Sequence, residues 1–253
     1  MRITFLGTGT SQGVPVIACS CAVCRSDHSK DKRLRSSVLI ETQDKVLVID
    51  TGPDFRQQML REAVQQLDAV LFTHEHKDHI AGLDDIRAFN FKQGAVVPIY
   101  CAPRVQEALK REYHYAFSEQ RYPGVPQMQI HPIGTQAFHI DTLEVIPIEV
   151  MHYKLPVWGF RIADFTYITD AKTIAKPEMD KIRGSKVLVL NALQKDKHIS
   201  HLTLEEAIQL AQQLEVEQCY LTHVSHRMGL HAEISAELPE GIQLAYDGLH
   251  LEI

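Results

Sequence analysis

Five times along this 253-residue chain a run with strand character stops at a side chain able to bind a metal: Asp50, His74, His152, Asp170 and His223. Strand ends in an α/β layer structure converge on one edge, where ligands gather. Singly, each of these residues is as readily an ordinary turn residue. Together they describe one constellation, and they demand a fold whose sheets share a common edge. The densest of the five is Thr73-His74-Glu75-His76-Lys77-Asp78-His79, directly after the apolar run Ala69-Val70-Leu71-Phe72. On an extended backbone His74 and His76 point the same way, while Asp78 and His79 follow the turn and can point back beside them. Imidazole suits zinc, iron and other first-row metals, and an added carboxylate widens the choice towards manganese. One strand-to-helix connection can thus serve two adjacent metals. A solvated, histidine-rich loop is a poor account of three imidazoles and an aspartate at this spacing, since the chain holds only 14 histidines.

Composition narrows the partners. Hydrophobic content of 45% and charged content of 23% are those of an ordinary globular protein. The formal net charge of −6 argues against a polyanionic partner, because non-specific nucleic-acid binding relies on clustered Lys and Arg. A small phosphate ester needs only a local positive site. The chain enters the strand-like Arg2-Ile3-Thr4-Phe5-Leu6 at once and has no apolar run near the length of a membrane span, so a cytoplasmic protein without membrane contact is expected. Five cysteines include the cluster Cys19-Ser20-Cys21-Ala22-Val23-Cys24. In a reducing compartment C-x-C-x-x-C reads as metal binding, with three thiolates one short of a closed zinc site.

Along the chain, Gly7-Thr8-Gly9 followed by Gly13 departs from dinucleotide spacing and reads as a loop that lets backbone approach a site. Ser36–Glu41 and Lys45–Asp50 read as a hairpin, and Asp54 as the cap of a helix carrying Phe55, Met59, Ala63, Val64 and Leu67. Asp50 is expected to orient the histidine loop rather than to bind metal. A helix is expected from about Asp78 towards Phe91, another from Pro103, and a surface excursion over residues 118–136. That excursion marks a seam between two structural halves of one domain, roughly 1–125 and 126–253. In the second half Thr203-Leu204-Glu205-Glu206 is a capping box.

With these residues assembled, the sequence resembles the metallo-β-lactamase superfamily, an α/β (α+β) fold built as a four-layer αββα sandwich. The mark is H-x-H-x-D-H followed by a His, an Asp and a His at strand ends. The resemblance implies that His74, His76 and His152 hold a first metal, that Asp78, His79 and His223 hold a second, and that Asp170 bridges both. Within the superfamily the likeness is greatest to the phosphoribosyl cyclic phosphodiesterases. It includes Gly7-Thr8-Gly9, Gln12-Gly13-Val14-Pro15, the cysteine loop, Thr222-His223-Val224-Ser225-His226 and Tyr246-Asp247-Gly248. It implies a structural zinc held by Cys19, Cys21, Cys24 and His226, a general acid at His201 with His198 as competitor, and a homodimer.

The expected activity is therefore hydrolysis of a small phosphate diester, cyclic esters included. A hydroxide shared by two divalent ions (Mn2+, Zn2+ or Fe) would attack phosphorus, with His201, Asp78 and Asp170 as the catalytic groups. Lys154 is a candidate phosphate contact. The alternatives are a ribonuclease Z-like endonuclease, against which stand the acidic charge and the want of a long basic insertion, and a thioester or lactone hydrolase. A non-catalytic metal protein leaves so open a ligand set unexplained.

Overall fold

The computed structural model describes residues 1–120 and 122–253. The strands among the described residues are, in chain order, β1 (Arg2–Gly7), β2 (Ser37–Glu41), β3 (Val46–Ile49), β4 (Ala69–Leu71), β5 (Val97–Cys101), β6 (Met128–Pro132), β7 (Phe138–Ile140), β8 (Leu143–His152), β9 (Leu155–Ile162), β10 (Phe165–Tyr167), β11 (Thr173–Ile174), β12 (Val187–Asn191), β13 (Gln218–Thr222), β14 (Ile242–Leu244) and β15 (His250–Glu252). They form two sheets, β15-β1-β2-β3-β4-β5-β6 and β11-β8-β9-β10-β12-β13-β14, with β7 added on β8.

Side-chain alternation builds the layers. Val38, Ile40, Leu47, Ile49 and Leu71 meet Phe160, Tyr167 and Val189 of the other sheet in a central core. Their neighbours Leu39, Val48 and Val70 face the opposite way, onto Phe55, Phe89 and Leu109 from three outer helices. On the far side Leu188, Leu190 and Leu221 pack against Ile182, Ala207, Leu210 and Ile234 from three more. Helix, sheet, sheet and helix thus follow one another, which is the expected four-layer sandwich. Strands covered on both faces must be apolar at every position, which is why β3 and β12 show no alternation in sequence. Phe5, Phe160 and Tyr167 are fully buried, and burial of side chains this size stabilises by roughly 1.5–3 kcal/mol each. Such a core fixes the strand ends and hence the loops that leave them.

Strand direction explains the recurrence seen in sequence. β3 and β4 are parallel neighbours, as are β10, β12 and β13, so their C-terminal ends share an edge. β8 is two antiparallel pairings from β10 and points the same way. A hydrogen bond from the Trp158 N–H to the Thr73 carbonyl (2.9 Å) ties the two sheets together at this edge.

Four local expectations are corrected. The stretch 118–136 is not wholly a surface excursion, since β6 lies within it and pairs parallel with β5; Arg121 lies outside the described residues. The expected halves therefore fit the sheets only in part, because β6 follows the seam yet ends the first sheet, and β15 returns to pair with β1. The helix expected from Asp78 to Phe91 is broken into Lys77–Ile80, a 3-10 turn at Leu83–Ile86 and Arg87–Gln93. The break is at Gly82, where a Cβ would stand 2.1 Å from the Gly52 carbonyl oxygen. Asp54 precedes its helix but does not cap it through its side chain. Its carboxylate instead accepts from the Arg35 backbone N–H (2.8 Å) and guanidinium (3.1 Å). The Thr203–Glu206 capping box is present.

Candidate metal centre

The centre begins with Asp50. It is fully buried at the end of β3, and its carboxylate accepts from the Thr73 backbone N–H (2.9 Å), the Thr73 hydroxyl (2.8 Å) and the His79 Nδ1 (2.7 Å). It therefore orients the histidine loop from behind. The two loops are laced through backbone as well: the Thr51 N–H donates to the His79 carbonyl and the Gly82 N–H to the Thr51 carbonyl, both 2.8 Å. Gly52 permits this approach, since a Cβ there would meet the Asp78 carbonyl oxygen at 2.2 Å.

From this support the side chains converge. The His79 Nε2 stands 3.1 Å from Asp78 and 3.3 Å from Asp170. The other Asp170 oxygen is 3.2 Å from the His223 Nε2 and 3.0 Å from the His201 Nε2. The Nδ1 of His152 donates to the Ser200 carbonyl (2.8 Å), leaving its Nε2 for the centre. Three groups have donor atoms close enough to share an ion: His74, His79 and Asp170; Asp78, His79 and His223; His152, Asp170 and His201. The second is the set expected for one metal. The rings of the first expected set, His74, His76 and His152, lie together, with centroids 4.5, 5.3 and 6.0 Å apart; the His76 Nδ1 is 2.9 Å from the His74 Nε2, and His152 also faces Asp170 and His201. His201 thus sits within ligand distance of the centre. His198 lies one layer further out, its Nδ1 3.1 Å from that of His201.

Three of the converging residues, Asp50, Asp170 and His223, occupy the left-handed region, with φ of 65°, 58° and 57°. Non-glycine residues there cost of order 1–3 kcal/mol each and persist only where their surroundings over-determine them. Here the strain turns each side chain from its strand end onto the shared edge.

Charge tests whether cations fit. Burial opposes ionisation of Asp170, yet His223 and His79 hold its carboxyl well below the usual range. Burial opposes ionisation of Asp78 too, yet His79 and His223 together hold it below its ordinary value. Burial pushes His223 down to about 4 and lowers His74 and His152 as well, so these rings are neutral. With Nδ1 committed to Asp50, the His79 Nε2 is a buried polar atom without an acceptable hydrogen bond, although two carboxylates face it. Against the effect of burial, Asp78, Asp50 and Asp170 raise His79 well above its ordinary value; carboxylates that draw positive charge this strongly, beside the neutral rings of His74, His152 and His223, form a site that divalent cations would complete.

The cysteine cluster is built differently. The Nδ1 of His226 lies 3.3, 3.5 and 3.5 Å from the sulfurs of Cys19, Cys21 and Cys24. A tetrahedral zinc with bonds of about 2.3 Å to sulfur and 2.0 Å to nitrogen would require S···N edges of roughly 3.5 Å. The backbone N–H of Cys24 (3.4 Å from the Cys21 sulfur), helped by His226, draws the Cys21 thiol down to about 6. Four protein donors leave no open position.

Sequence reasoning missed several contributors. The Thr10 hydroxyl lies 3.1 Å from the His223 Nε2, and the Thr169 hydroxyl donates to Asp170 (2.6 Å). The signal was available: threonine directly precedes His74, Asp170 and His223. An open cavity of about 510 Å3 adjoins His76 and His152, walled by Arg104, Tyr153, Lys154 and Ile199. Arg104 is paired with Glu75. Of these, Lys154 is marked in sequence by its place after His152, whereas nothing local in sequence marks Arg104, Tyr153 or Ile199, which tertiary packing brings together.

The chain belongs to the metallo-β-lactamase superfamily, since the family model described as a β-lactamase superfamily domain matches residues 45–224. An octanoyltransferase from Porphyromonas gingivalis is 40% identical over 252 residues, covering 98% of this chain and 51% of that protein. A ribonuclease Z from Nostoc punctiforme is 27% identical over 168 residues, covering 65% of this chain and 47% of that one. The chain thus spans about half the length of these curated relatives. A crystal structure described as a new diphosphatase from the PhnP family has a TM-score of 0.93 at 39% identity, covering 100% of this chain and 97% of that one. The short form of human tRNase Z shares the fold, with a TM-score of 0.72 at 19% identity over 100% of this chain and 99% of that one. No helix among the described residues is long and apolar enough to cross a membrane.

Proposed function

We propose that the strand-edge centre hydrolyses a small phosphate diester, cyclic esters included, in the manner of the phosphoribosyl cyclic phosphodiesterases that the sequence resembles. The observation that carries this reading is Asp170, whose two oxygens face different imidazoles: His79 on one side, His223 and His201 on the other. A carboxylate so divided suits a bridge. His74, His76 and His152 would hold one divalent ion, and Asp78, His79 and His223 a second. Manganese, zinc and iron all suit such donors. When bound, a pair of such ions supplies positive charge for the phosphoryl oxygens and lowers the pKa of water towards neutrality.

The remaining work falls to the chain's own groups. Asp50 and the Ser200 carbonyl fix which nitrogen of His79 and of His152 faces the centre, a support whose loss typically costs about 10–100-fold in metal affinity or activity. His201 reaches the reaction edge with Nε2. In its protonated form it donates to the departing alkoxide, a contribution of typically ~10²–10⁴-fold. Lys154, on the wall of the adjoining cavity, offers charge to the part of the substrate that does not react.

The ribonuclease Z-like reading draws support from the relatives of that name, and against it stands the net charge of −6. Thioester or lactone hydrolysis would use the same ions without an acid histidine. The test is a panel: bis-p-nitrophenyl phosphate, p-nitrophenyl phosphate, a thioester and a lactone, each with manganese and with zinc. The proposal expects the diester to be turned over and the thioester and lactone to be left. Turnover of a carbonyl ester alone would overturn it.

A further inference from the structure

A second cavity, of about 410 Å3, lies away from the strand-edge centre, between the segment that follows the cysteine loop and the helix His231–Glu237. Its volume is within the range of small-molecule sites, about 300–1,000 Å3. Part of its wall is apolar, from Leu238, Ile242 and Leu244. The polar part consists of His28, Lys30, His231, Ser235, Gln243 and Tyr246. No carboxylate lines it, although the chain carries 32 Asp and Glu against 26 Lys and Arg.

The two imidazoles are fixed as donors. Arg33, buried beneath the cavity, donates through Nη1 to the Thr8 hydroxyl (2.7 Å) and the Ala245 carbonyl (2.6 Å), and through Nη2 to the His231 Nδ1 (3.2 Å). A guanidinium can only donate, so the proton of neutral His231 is on Nε2. Burial, with Arg33 and Lys30 nearby, holds this histidine down to about 4, and it is therefore neutral. His28 is set in the same way, its Nδ1 accepting from the Lys30 backbone N–H (3.2 Å). Neither Nε2 has an acceptor among the described residues. The buried carboxylate of Asp31 is spent on the His231 backbone N–H (2.7 Å) and the Ser26 hydroxyl (2.6 Å). Lys30 completes the set, its ammonium lying 4.0 Å from the centre of the Tyr246 ring rather than on a carboxylate.

From two unpartnered imidazole N–H groups, a lysine without a carboxylate partner and an apolar wall, we propose that this cavity is a second ligand site, taking a small organic anion that carries a phosphate or carboxylate on a short apolar body. The anionic head faces Lys30, His28 and His231, and the body lies against Leu238 and Ile242. This site is independent of the reading of the metal centre. Its walls begin a few residues after the cysteine loop, at His28, and after His226, at His231.

The test is calorimetric titration of the metal-loaded full chain with phenylphosphonate and, separately, benzoate. Imidazole 15N–1H resonances of the histidines are followed in parallel. The two probes distinguish a phosphate from a carboxylate preference. Lys30→Glu should weaken one class of sites at least ~10-fold, as expected when a charged hydrogen bond is reversed, and leave diester hydrolysis unchanged. Ser235→Trp, at an exposed position of the wall, should fill the cavity and abolish the same class. In the wild type the His231 and His28 Nε2 signals should move with the titration. Identical isotherms for wild type and both variants, or imidazole signals that stay still at saturation, would overturn the proposal.

Discussion

The cysteine cluster and the strand-edge cluster are both built from metal-capable side chains, yet their construction is opposite. The first takes three donors from one short loop and a fourth from more than 200 residues away, all against one ring nitrogen. The second takes donors from the ends of several strands in two sheets, three of its residues hold left-handed backbone, and its carboxylates exceed its charged partners. A closed cage of four donors can only hold chain segments together. An open one, strained and rich in unsatisfied charge, can bind what it later releases. The comparison teaches that fold stability and chemistry are assigned to different donor sets within one chain.

The largest effect that would break this division is at Asp170. Asp170→Asn should lower the diester turnover by on the order of 10³-fold while leaving the melting temperature nearly unchanged, which steady-state kinetics and a thermal melt would check together. The mirror image is Cys21→Ser. It should lose one tightly held zinc, counted by elemental analysis, and lower Tm by on the order of 10 °C, with turnover per folded molecule kept. If Cys21→Ser silenced catalysis without loss of stability, the division would be wrong. Asp50→Asn sharpens the comparison from within the open site. The amide retains the fold but loses an acceptor for His79, and metal affinity should fall by about 10–100-fold, measured by chelator competition.

The smallest effect lies beyond the cysteine cluster, at His231. Its folded pKa of about 4 is below the ordinary 6.5. The unfolded chain therefore binds the extra proton between these values, and stability falls as pH drops from 6.5 towards 4. At pH 5 this should amount to on the order of 1–2 kcal/mol, a few degrees of Tm. His231→Gln should flatten that part of the pH–Tm curve, and an unchanged slope would remove His231 from the account.

What could be read in sequence follows from physics that is local. The doubly covered strands β3 and β4 are apolar throughout and β12 is so up to its last residue, Asn191, and the capping box at Thr203 is written in four consecutive residues. β6 escaped notice because an edge strand tolerates Gln129, His131 and Pro132, which a central strand would exclude. The break at Gly82 was hidden because its cause, the carbonyl of Gly52, is distant in sequence. At the centre, the residues named from the strand-end pattern and the family resemblance do converge. The approach of His201 to Asp170 and the left-handed turns depend on how two sheets meet, which no stretch of sequence states.

The most direct test of the central claim is a metal titration of activity. Protein stripped at the strand edge by a chelator, with any metal at the cysteine cluster counted by elemental analysis, is titrated with manganese while hydrolysis of bis-p-nitrophenyl phosphate is followed. The account predicts that turnover rises and levels off at two equivalents per chain, and that Asp170→Asn does not reach that plateau. Full turnover at one equivalent, or none at any loading while a thioester is cleaved, would contradict it.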